Sequence, residues 1–60
     1  MKIEAILDSY ANGQRKQMID QIKRYGVRQF FVDLAESFEA DVVTKQTFIE
    51  ITLIYMRHKP

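Results

Sequence analysis

Arg15 and Lys16 follow an Asn-Gly pair at the point where a helix should begin, and Lys23, Arg24 and Arg28 come after them. With Gln14 and Gln17 they place five cations and two amides within fifteen residues, and these are side chains that contact phosphate oxygens. A helix start adds free N–H groups and the positive end of the dipole, both favourable to a bound phosphate. The same dipole repels cations at that end, so the placement of Arg15 and Lys16 needs a reason. Helical geometry divides the group. Lys16 and Lys23 project within about 20° of each other at 100° per residue, Arg24 lies a further quarter-turn round, and Asp20 falls between. Arg15 projects on the apolar side, one turn before Met18, where its stem can cover the core edge while its head stays in water. A solvated or stem-packing role is the plainer expectation for these cations. Phosphate contact, in a small nucleic-acid-binding regulator, is the alternative. Two helices joined at Gly26 also invite comparison with a helix-turn-helix, but the second would offer Asp33 and Glu36 to the phosphates, which is the wrong sign.

Catalytic chemistry has less to stand on. His58 is the only histidine and sits between Arg57 and Lys59 near the chain end, where little can enclose a general base. Ser9 and Ser37 have no evident base beside them. No paired carboxylates, Gly-rich phosphate loop, nucleophile elbow or EF-hand loop occurs. Cys is absent, so disulfides and thiolate metal sites are excluded, and one His does not make a zinc site. The expectation is no catalytic residue, no metal and no cofactor. A pocket of ligand-binding volume, roughly 300 Å³ or more, is not expected in so short a chain either, so no small-molecule substrate is foreseen.

These side chains must be carried by a single small domain spanning residues 1–60. At 60 residues, only roughly 60% of the unfolded chain's surface can be buried, and small proteins usually supplement such a core with disulfides, a metal or a partner chain. Self-association is the supplement left. The composition, 47% hydrophobic and 28% charged with two Gly and one Pro, is that of a folded domain. A net charge of +1 selects no partner. Glu4 and Asp8 interrupt any secretory apolar core near the N-terminus, and IEITLIYM is far too short to span a bilayer of about 30 Å as a helix. A cytoplasmic protein without a membrane partner is the default expectation.

The periodicity predicts an all-α bundle of three to four short helices. Ile3, Ile6, Leu7 and Tyr10 share one helical face, with Lys2, Glu4, Asp8 and Ser9 away from it. This helix ends near Ala11 at Asn12-Gly13, two residues that tolerate left-handed backbone; Asn12 is equally suited to cap the next helix. There Met18, Ile19, Ile22 and Tyr25 form the apolar arc, with Lys16, Asp20 and Arg24 on the wet side. Gly26 followed by Val27 fits a Schellman closure with Val27 against Ile22. In VRQFFVDLAESF, residues Val27, Phe30, Phe31, Leu34, Ala35 and Phe38 form the main core stripe, each ring removing on the order of 150 Å² or more from water.

The last segment, TKQTFIEITLIYMRHKP, is ambiguous. Ile49, Ile51, Leu53 and Tyr55 alternate as in a strand and the β-branched content suits one. Its ends favour a helix: Thr44 can cap the start, Arg57, His58 and Lys59 suit the negative end, and Pro60 follows. A strand would also lack a partner. As a helix it is apolar nearly all round, and helices of that kind are buried on every side. Phe48, Ile49, Leu53, Ile54 and Met56 are therefore the expected protein interface, met by a second copy across a two-fold axis or by another protein.

The stretch IEAILDSYANGQRKQMIDQIKRYG resembles the openings of small accessory proteins of tailed bacteriophages through Tyr10, Asn12, Gly13, Gln14, Lys16, Gln17 and Gly26. That resemblance covers residues 3 to 26. It implies a viral origin, a place in the host cytoplasm and a role in binding another protein, and it transfers no functional residue.

Overall fold

A computed structural model of the chain describes residues 3–58. The roles expected of Lys2, Lys59 and Pro60 lie outside the described residues. The fold is a small all-α bundle of four helices: α1 (Glu4–Ala11), α2 (Arg15–Tyr25), α3 (Val27–Glu39) and α4 (Lys45–Arg57). Each helix packs against the next along the chain, as short connections require of neighbouring helices. The strand considered for the last segment is not formed. Thr44 caps α4 as expected, its Oγ1 accepting the Thr47 N–H at 3.1 Å.

The core is drawn from all four helices, the N-cap of α1 and one connection: Ile3, Ile6, Met18, Ile19, Ile22, Phe30, Leu34, Val43 and Ile51 are buried. The arc of α2 matches its expected residues, with Tyr25 half-buried at its end. Aromatic rings tie α2, α3 and α4 together edge to face. Tyr25 meets Phe30 at 6.5 Å, Phe30 meets Phe31 at 5.0 Å, and Phe31 meets Tyr55 at 5.7 Å, the geometry that ring quadrupoles favour.

Several expectations are corrected by how the helices are rotated. Ser9, expected on the wet side of α1, is buried against α2. Its hydroxyl donates to Gln21 Oε1 at 2.6 Å, with the Ala5 carbonyl at 3.2 Å as a second acceptor. The buried line of α3 runs Phe30, Leu34, Ser37, so a serine completes the stripe and Val27 is 37% exposed. Ser37 donates to the Asp33 carbonyl at 2.9 Å, which satisfies the hydroxyl as burial demands. Val43, in the connection to α4, closes that side of the core.

Gly13 closes α1 as expected, while Gly26 departs from its expected role. At Gly13 the Gln14 N–H donates to Ser9 O at 2.9 Å and the Gly13 N–H to Tyr10 O at 3.1 Å, while Gly13 has φ of 74°. That pair of bonds is a Schellman closure, with Asn12 as the C-cap of α1. Asn12 does not cap α2, whose N-cap is Gln14 without a side-chain bond. At Gly26 the Schellman pair of Val27 and Ile22 is not made. Gly26 itself donates to Ile22 O at 3.0 Å, its φ of 109° and ψ of 114° lie outside the left-handed helical well, and Val27 already begins α3. A second Schellman closure ends α3, with Val42 N–H to Ser37 O at 2.9 Å and Asp41 N–H to Phe38 O at 3.1 Å. Its left-handed residue is Asp41, at φ of 61°.

Candidate functional site

Helix α4 presents four sides. Ile51 faces the core. Toward α3, Phe48 packs tilted against Phe38 at 5.4 Å and Tyr55 meets Phe31 edge to face. Toward α1, Glu50 accepts the Tyr10 hydroxyl and Gln46 Nε2 donates to it at 3.0 Å. The outer side is left to Ile49, Leu53 and Met56, which are 46%, 41% and 66% exposed. At 100° per residue these three cluster opposite Ile51, within about 60° of one another. Phe48, Ile49, Thr52 and Leu53 also enclose a shallow apolar hollow of about 220 Å³.

Of the five residues expected at an interface, Ile49, Leu53 and Met56 therefore form one free stripe. Phe48 and Ile54 are half-buried against the chain's own core, so they offer less free surface than the other three. Neither end of that division was visible in composition, since all five side chains are large and apolar.

The cations are all exposed, but they do not form one patch. Arg15 and Lys16 open α2, while Lys23 and Arg24 lie in its last turn, which at 1.5 Å per residue is about 10 Å or more further along the axis. Arg28 belongs to the first turn of α3. The tertiary structure instead brings Arg15 and Lys16 to Arg57 and His58 at the end of α4. These four, with Ile19 and Ile54, line an open concavity of about 470 Å³. A hollow of that size was not expected of so short a chain, and neither Arg57 nor His58 could be joined to Arg15 from sequence spacing.

Local electrostatics reflect the side-chain bonds. The hydrogen bond to Glu50 raises the Tyr10 pKa, with desolvation adding to it, and the same bond lowers the pKa of Glu50, Arg15 contributing in the same direction. Tyr25 is raised likewise by donating to Asp33. Among the described residues no group of three or more His, Cys, Asp or Glu is placed to hold a metal ion, and no helix is long and apolar enough to cross a membrane.

What these features define is a small all-α bundle with an apolar helix face and a cationic concavity. Compared with known proteins, the chain matches no family model, no curated protein and no solved structure.

Proposed function

We propose that this chain is a small protein-binding accessory or regulatory module that works as a homodimer across the outer face of α4. The exposed stripe of Ile49, Leu53 and Met56 carries the reading. Full burial of one such side chain contributes roughly 1.5–3 kcal/mol, and the share belonging to the 41–66% still exposed is what a monomer leaves unused. A second copy suits the stripe because residues 47–56 hold a single charge, Glu50, and it is turned toward Tyr10. Two such faces meet without like-charge repulsion. A stable interface of about 800 Å² per partner would take roughly a fifth of the 4442 Å² surface, a supplement of the kind a core this small calls for. The resemblance of residues 3 to 26 to phage accessory proteins supports a binding role of this type in a host cytoplasm.

Sedimentation velocity across the micromolar range tests the reading. The chain should pass from monomer to dimer with concentration, while Leu53→Glu stays monomeric with the same far-UV spectrum. A chain that remains monomeric at the highest concentration overturns it.

A further inference from the structure

We propose that the concavity between the start of α2 and the end of α4 binds a small organic anion, a carboxylate carried on a short apolar body. Its rim and floor differ in chemistry. Arg15, Lys16, Arg57 and His58 supply cationic or ionisable nitrogen heads from two helices, and Ile19 and Ile54 supply the apolar floor. Ile19 is itself a buried core residue and Ile54 is packed against the core, so the floor is held by the fold.

Gathering like charges from positions some forty residues apart is unfavourable by Coulomb's law. Clefts lined by one sign focus the field and concentrate ions of the other. Glu50, whose carboxylate is influenced by the charge of Arg15, is already engaged by Tyr10 and Gln46. Among the described residues no carboxylate is ion-paired with Lys16 or Arg57. An entering carboxylate would meet guanidinium forks of matching geometry. The volume of about 470 Å³ falls within the range of about 300–1,000 Å³ usual for small-ligand sites. A bare inorganic anion would leave the half-buried Ile54 at the floor in contact with water, which is why the ligand carries an apolar body.

Titration of the labelled full chain with hexanoate, acetate, hexanol and inorganic phosphate, followed by NMR, tests the assignment. Hexanoate should shift the Ile19 and Ile54 methyls and the amides of Arg15, Lys16, Arg57 and His58, saturating in the millimolar range. The other three probes should bind several-fold more weakly. Lys16→Gln and Arg57→Gln, both at exposed positions, should each weaken hexanoate by roughly fivefold, as expected for a solvent-exposed charge pair, while their thermal midpoints move slightly in opposite directions, up for Lys16→Gln and down for Arg57→Gln, as the helix dipoles require. Equal binding of hexanol overturns the charge requirement, and equal binding of phosphate or acetate overturns the apolar one. Shifts at Ile49 and Leu53 in place of the groove, or no saturation, overturn the site. None of these outcomes depends on whether the chain dimerises.

Discussion

Tyr10 on α1 donates its hydroxyl to the Glu50 carboxylate on α4, joining the first and last helices across 40 residues of sequence. The folded Glu50 pKa lies below its ordinary value of 4.5, so its contribution to stability is present above that pH and is lost as pH falls through the folded value. The Tyr10 pKa lies above its ordinary 10.0, so its contribution holds below that pH and is lost as pH rises through the raised value. Tyr10→Phe should therefore lower the thermal midpoint most between these limits, with the gap from the unsubstituted chain narrowing at acid pH. Midpoints measured from pH 3 to 8 check this, and a gap independent of pH would contradict it.

Asp41 holds a left-handed backbone at φ of 61° to close α3. A residue with a Cβ loses about 1–2 kcal/mol in that conformation, less for Asp than for most. Asp41→Gly should stabilise the chain by about 0.5–1 kcal/mol, after allowing for the extra unfolded-state freedom of glycine. Thermal unfolding followed by circular dichroism should show a rise of a few degrees; a fall would mean that the Asp41 side chain contributes something the closure does not.

Gly13 and Gly26 should respond differently to asparagine. Gly13 lies at φ of 74° with open space where a Cβ would be, and asparagine tolerates left-handed backbone. Gly13→Asn should cost under about 1 kcal/mol. Gly26, with φ of 109° and ψ of 114°, lies where only glycine is at ease, so Gly26→Asn should cost about 1–3 kcal/mol. A Cβ there would come no closer than 4.0 Å to Gln29, so the difference is one of backbone strain. Denaturant midpoints of the two variants check the order.

Ile49 and Leu53 should separate folding from association. Both are exposed, so Ile49→Gln and Leu53→Gln should alter monomer stability by no more than about 0.5 kcal/mol. Each removes an apolar contact from both halves of a two-fold interface, so each should raise the dimer dissociation constant by about tenfold or more. Ile51, fully buried on the same helix, gives the contrast: Ile51→Ala should cost about 2–5 kcal/mol of folding free energy. Paired sedimentation and denaturation measurements would expose a stripe that serves the monomer instead.

Much of this protein follows from local rules. Four helices, the break at Asn12-Gly13, the Thr44 cap and the arc of Met18, Ile19 and Ile22 are legible because caps, closures and helical period depend on neighbours within a turn or two. The helical state of residues 45–57 was decided by its ends, although its alternating isoleucines also suited a strand. What only the tertiary structure decided is the rotation of each helix about its axis. That rotation buries Ser9 and Ser37, exposes Val27, covers Phe48 and Ile54 and leaves Ile49, Leu53 and Met56 free. It also brings Arg57 and His58 to Arg15 and Lys16, so the cations that oppose the α2 dipole stand at the rim of a shared groove. Periodicity marks which residues share a face; which face meets which is set by packing among side chains far apart in sequence.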